Sequence, residues 1–128
     1  MSSPTDEHKA DAPASLPCAV VTVSDSRTLE TDTGGQLVVD LLSAAGHAVV
    51  YREIIPDDPS QMTPLLQSWR DGDEVAAVLM TGGTGITSRD QTYETVTQLI
   101  TRPLPGYGEL FRMLSYEQVG PAAMLSRA

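Results

Sequence analysis

The 128-residue chain has one cysteine, one lysine and two histidines. A lone Cys18 excludes an internal disulfide, and beside Ala19-Val20-Val21 it reads as a small buried apolar residue rather than a nucleophile. The single lysine, Lys9, precedes the first apolar run, so the body of the chain has none to place on a nucleotide phosphate. That excludes a Walker-type P-loop, which requires Gly-Lys-Ser/Thr, and leaves phosphate to backbone N–H groups, arginine or a metal ion. His8 and His47 form no pair at metal-ligand spacing, which argues against zinc. Positive charge is scarce: 8 basic against 17 acidic residues give −9, contrary to a surface that holds nucleic acid or a membrane through many phosphate contacts. No run approaches the ~18 apolar residues of a membrane span. Residues 1–17 carry Asp6, Glu7, Asp11 and three prolines without an apolar core segment, and read as a disordered leader rather than a signal peptide. A cytoplasmic location is expected.

What is present is a repeated alternation. The runs 19–23, 48–55 and 75–80 are short, apolar and rich in β-branched residues, as buried parallel strands are. Between the first two, Asp32 or Thr33 can cap a helix with Val38, Leu41, Leu42 and Ala45 on one face, ended by Gly46. Between the second and third, Ser60 can cap a helix carrying Met62, Leu65, Leu66 and Trp69, with Pro64 placed in its first turn. Thr92 is predicted to cap a third helix, residues 102–108 to form a break, and a further helix to carry Glu109 to Leu114. Strand-helix alternation of this kind predicts one α/β domain over 18–128, a Rossmann-like three-layer α/β/α arrangement with a mostly parallel sheet.

In such sheets ligands bind in the crevice beyond the carboxyl ends of the strands. The loops expected there are Ser24 to Asp32, Asp57 with Asp58, and Thr81-Gly82-Gly83-Thr84-Gly85 through Arg89-Asp90. Three glycines in four positions let a backbone approach an anion closely and aim several N–H groups at it. The following arginine and aspartate supply a cation and a hard oxygen ligand for Mg²⁺. Read singly, Asp57, Asp58, Asp25 and Asp32 are also ordinary turn formers or helix caps, a surface ion pair is the simplest reading of Glu109 with Arg112, and Ser115 is either surface or ligand.

From Ala19 to Ala128 the chain resembles the molybdenum cofactor biosynthesis family that includes MoaB, MogA and the G domain of gephyrin. The matching pieces are Val23-Ser24-Asp25, Asp32-Thr33-Gly34-Gly35, Ile55-Pro56-Asp57-Asp58, Thr81 to Gly85, Arg89-Asp90, Pro105-Gly106-Tyr107-Gly108-Glu109 with Arg112, and Leu125-Ser126-Arg127-Ala128. The run 108–115 is most similar to the MoaB branch. The resemblance implies Mg²⁺- and ATP-dependent transfer of AMP to the terminal phosphate of molybdopterin, with pyrophosphate released. It assigns catalysis and Mg²⁺ to Asp57 and Asp90. Binding of nucleotide and pterin falls to Ser24, Asp25, Asp32, Gly35, Thr81, Gly82, Gly83, Thr84, Gly85, Arg89, Gly106, Glu109, Arg112, Ser115, Ser126 and Arg127. A homo-oligomer, trimeric or hexameric, and the metal-insertion enzyme of the pathway are the implied protein partners; no nucleic acid or membrane is. The alternative is a non-catalytic molybdopterin- or nucleotide-binding protein of the same pathway. Gln91 and Tyr93 depart from the valine and proline of many relatives. Relatives also continue past Ser-Arg-Ala with a strand, a Pro-Gly loop and a helix, so the C-terminal part of the family domain is expected to be missing.

Overall fold

A computed structural model describes residues 3–128. Three parallel strands, β1 (Pro17–Val23), β2 (Ala48–Ile55) and β3 (Ala77–Thr81), form one sheet in the order β2-β1-β3. The central strand is buried along nearly its whole length, which is why its sequence is apolar without alternation. Successive side chains of β1 point to opposite faces. Ala19, Val21 and Val23 join Ile55, Met62 and Trp69 in the main core, with Leu65, Leu66, Val75 and Met80 packed against it. The other face, through Thr22, meets the start of a helix at Thr33–Ala44.

Counting the exposed N-terminal helix Pro4–Asp11 as α1, the helix at Thr33–Ala44 is α2 and that at Pro59–Asp71 is α3. They lie on opposite faces of the sheet because the chain passes from β1 to β2 on one side and back across β1 to β3 on the other. The sheet therefore reverses its direction of winding between β1 and β3, and a crevice opens beyond their carboxyl ends. Further on, α4 (Thr92–Leu99) packs against α3, while α5 (Pro105–Val119) packs against a terminal 3₁₀ turn at Gly120–Leu125. The layers are α2, sheet, and α3 with α4, which is the α/β arrangement expected.

Several boundaries differ from expectation for identifiable reasons. Residues 4–11, expected as part of a disordered leader, form α1: Ser3 Oγ accepts from the Asp6 N–H while the Asp6 carboxylate accepts from the Ser3 N–H and hydroxyl, a reciprocal cap with Pro4 at the first helical position. No residue of α1 is buried. Asp58, not Ser60, caps α3 by accepting from the Ser60 N–H at 2.9 Å. Because α3 starts at Pro59, Pro64 falls in its second turn, where it forfeits one intrahelical bond. Thr92 is the first residue of α4 rather than its cap, and β3 begins at Ala77 rather than Val75. Residues 105–108 are helical, since Pro105 suits a first helical position. Leu41 and Ala45, expected on the buried face of α2, are exposed, whereas Val38 and Leu42 are half-buried.

Candidate functional site

The loop after β3 is shaped by two glycines in left-handed conformation, Gly82 (φ 86°) and Gly83 (φ 70°). A Cβ on Gly83 would lie 2.1 Å from Thr92 Oγ1, and one on Gly82 would lie 2.5 Å from the Val23 carbonyl oxygen. The loop therefore runs flush against the ends of β1 and α4, and only glycine fits either position.

Both aspartates assigned to catalysis are half-buried and sit at this end of the sheet. Asp57 Oδ1 accepts from the Gln91 N–H at 3.2 Å and from Thr92 Oγ1 at 3.1 Å, so the end of β2 is joined to the start of α4. Asp90, next to Gln91, accepts through Oδ2 from the Thr87 N–H (2.9 Å) and hydroxyl (2.7 Å). Those Thr87 bonds, the hydroxyl first, hold the Asp90 carboxyl below the usual range, helped by Arg127 and Arg89. These bonds use one oxygen of each carboxylate. Among the described residues no cluster of three or more His, Cys, Asp or Glu forms a metal cage. Two carboxylates with oxygens left over still fit Mg²⁺, which keeps most of its waters and takes its remaining ligands from phosphates.

The loop after β1 arrives from the other side. Arg89 Nη2 lies 2.7 Å from Asp25 Oδ2, with the two side chains 82% and 54% exposed, so this ion pair bridges the first and third loops at the crevice mouth. Ser24 donates its N–H to the Ile55 carbonyl at 2.8 Å, and its hydroxyl accepts from the Arg27 N–H at 3.1 Å. An open pocket of about 350 Å³ lies beside it, lined in part by Ser24, Arg27, Arg52 and Glu53.

Asp32 and Gly35 have a different place. Asp32 is buried, accepts from Thr22 Oγ1 at 2.6 Å, caps α2 through the Gly35 N–H at 3.0 Å, and faces Arg52 at 3.5 Å. Burial pushes its carboxyl up, but the bonds from Thr22, Gly35 and Arg52 outweigh it and leave the pKa lowered. A Cβ on Gly35 would stand 2.1 Å from Asp32 Oδ2 and 2.5 Å from Thr22 Oγ1. This pair docks α2 on the sheet.

The C-terminal motif reaches the loop from behind. Arg127 donates to the carbonyls of Thr84, Gly85 and Asp90, and pairs with Glu94. Arg112 makes no ion pair with Glu109 among the described residues; its Nη1 donates to Ser126 and Ala128 oxygens, each at 3.2 Å, where Gly108 leaves room for both. Gly106, Glu109 and Ser115 lie along α5, and among the described residues no hydrogen bond or ion pair ties them to the glycine loop. Thr87, Thr92, Tyr93 and Glu94 are the supporting residues that motif reading missed. Only Thr87 carried a local signal, since a hydroxyl three residues before Asp90 is positioned for a side-chain turn.

Fold and loop together define a doubly wound α/β domain with a glycine-lined crevice at its switch point. Residues 19–128 match the family described as "Probable molybdopterin binding domain". The chain is 49% identical over 123 residues to the molybdenum cofactor biosynthesis protein B of Bacillus cereus, covering 95% of this chain and 73% of that protein. A crystal structure of molybdenum cofactor biosynthesis protein B superposes with a TM-score of 0.85 at 48% identity, over 92% of this chain and 74% of the other. The tungsten cofactor synthesizing protein MoaB from Pyrococcus furiosus does so with 0.75 at 38% identity, over 91% and 72%. The chain belongs to the molybdenum cofactor biosynthesis family, in its MoaB branch.

Proposed function

We propose that this protein acts in molybdenum cofactor biosynthesis by transferring AMP from ATP to the terminal phosphate of molybdopterin. A molybdopterin phosphate oxygen attacks the α-phosphorus, the bond from that phosphorus to the bridging oxygen breaks, and pyrophosphate leaves. The single observation that carries the reading is the meeting of Asp57 with the Asp90-Gln91-Thr92 segment beside the glycine loop. The phosphate nucleophile is already anionic near neutral pH, so placement and charge neutralisation supply most of the acceleration. The Gly82–Gly85 backbone would grip phosphate, Arg89 would offer a cation at the mouth, and the unused oxygens of Asp57 and Asp90 would hold Mg²⁺ or its waters. Bound Mg²⁺ would neutralise phosphate charge and stabilise departing pyrophosphate. Residues 18–128 contain no lysine, so charge neutralisation at the phosphates would fall to Arg89, the loop N–H groups and a metal held by the two aspartates.

The test is incubation of the full chain with ATP, Mg²⁺ and molybdopterin, followed by mass spectrometry of the pterin. Adenylylated molybdopterin and equimolar pyrophosphate support the reading. Molybdopterin binding without either product selects a non-catalytic binding protein instead.

A further inference from the structure

Arg127 lies outside the glycine loop in sequence, yet each of its four nitrogens has a partner in that loop or in the segment that follows it. Its backbone N–H donates to the Thr84 carbonyl at 3.0 Å, Nε to the Gly85 carbonyl at 2.7 Å, and Nη2 to the Asp90 carbonyl at 2.9 Å. Nη1 pairs with the Glu94 carboxylate, and the guanidinium carbon stands 5.0 Å from the centre of the Tyr93 ring. The side chain is only 23% exposed. With every guanidinium nitrogen already bonded to protein, at most two of its five N–H donors remain for any other partner.

The direction of these bonds matters more than their number. In a trans peptide the carbonyl and the following N–H point to opposite sides. Drawing the Thr84 and Gly85 carbonyls toward Arg127 turns the Gly85 and Ile86 N–H groups the other way. Drawing the Asp90 carbonyl toward Nη2 turns the Gln91 N–H away from Arg127, and that N–H donates to Asp57 Oδ1. One arginine thus sets both the donor face of the loop and, through a single peptide plane, the position of Asp57.

We propose that Arg127 is a positioning residue that fixes the anion-binding face of the glycine loop and the Asp57–Gln91 contact from behind, rather than a ligand of the substrate. The inference deepens the proposed function and rests on it for its catalytic meaning, but its test does not require turnover. Three acceptors in different directions need a planar fork, so lysine at 127 keeps the charge and loses the clamp.

The experiment compares the full chain with Arg127→Lys and Arg127→Ala by amide hydrogen exchange and by titration with inorganic pyrophosphate. In both variants, exchange over residues 84–91 should accelerate by about tenfold or more while the β1 amides stay protected. Pyrophosphate affinity should fall by about tenfold, and millimolar guanidinium should recover part of it in Arg127→Ala. Unchanged loop exchange in both variants, full pyrophosphate affinity in Arg127→Lys, or a wild-type chain that takes no pyrophosphate would each overturn the proposal. Loss of β1 protection as well would overturn it in favour of a general fold clamp. If loop exchange and pyrophosphate affinity respond as stated but no adenylylated pterin forms, the proposed function fails while the positioning role stands.

Discussion

Asp57 Oδ1 accepts from the backbone N–H of Gln91 at 3.2 Å, across 34 positions of sequence, and so fixes the carboxylate at the end of β2 beside Asp90. The contact uses one oxygen of Asp57, and the consequences of that economy can be tested. Asp57→Asn keeps an acceptor for Gln91 and Thr92 while removing the negative charge. Its melting temperature should stay within a few degrees of wild type, since one neutral-for-charged exchange at a half-buried site is worth about 1 kcal/mol. Adenylyl transfer should fall by roughly 10²–10³-fold. Calorimetry and initial rates on the same preparation check both halves.

At the loop glycines activity and stability should fall together. Gly83→Ala places a methyl group against Thr92 at a φ that L-residues avoid, so the loop must move away from α4. A cost of about 1–3 kcal/mol is expected, with nucleotide KM raised at least tenfold. Urea denaturation and steady-state kinetics read the two effects.

Gly35→Ala should destabilise without a direct effect on the site. Its Cβ would enter the Asp32–Thr22 contact that docks α2 on the sheet, and about 1–3 kcal/mol should be lost. The Mg²⁺ dependence of whatever activity remains should be unaltered. A changed Mg²⁺ requirement would place Gly35 in the ligand site instead.

The pH dependence of stability follows from Asp32. Its carboxyl lies lower in the native chain than the ~3.9 of an unfolded aspartate, so the unfolded state binds protons first as pH falls. Its contribution is complete above the unfolded pKa and is lost as pH drops through the native one. Asp90 and Glu94 are shifted in the same direction, Glu94 chiefly by its bond from Arg127. Urea midpoints should therefore fall steeply below about pH 4, and less steeply in Asp32→Asn.

Exposure distinguishes structure from function at Arg89. An ion pair this open contributes less than about 1 kcal/mol, so Asp25→Asn and Arg89→Gln should both melt near wild type. Only Arg89→Gln should weaken nucleotide binding markedly, because Asp25 would hold the cation rather than meet the anion. Isothermal titration with ATP and Mg²⁺ on the two variants decides it.

The parallel sheet and its layering were legible because the three short apolar, β-branched runs alternate with helical patterns, and the loops with special chemistry all follow strands. The face of α3 was legible for the same reason: Met62, Leu65, Leu66 and Trp69 are spaced for one side of a helix and all lie toward the core. On α2 the same spacing misled in part, since Leu41 and Ala45 are exposed while Val38 and Leu42 turn inward. Asp32 caps α2 as expected, whereas the starts of α3 and α4 were misplaced by two residues and one, with Asp58 rather than Ser60 and Gln91 rather than Thr92 at the cap position. The deeper gap concerns side chains whose partner is distant backbone. Nothing local shows that Arg127 reaches carbonyls more than 35 residues away, or that Asp32 is consumed by Thr22 and Arg52, because those pairings exist only once the sheet has brought the loops together.

The most direct test of the central claim, that the ends of β2 and β3 form one divalent-metal and phosphate site, is paramagnetic mapping. Mn²⁺ would be titrated into the isotope-labelled full chain with ATP present, and amide line broadening followed residue by residue. The account predicts that Asp57, Asp90 and the amides of Gly82 to Gly85 broaden first and together, and that Asp57→Asn and Asp90→Asn each suppress the effect. Broadening centred elsewhere, or at only one of the two aspartates and unaffected by losing the other, would contradict it.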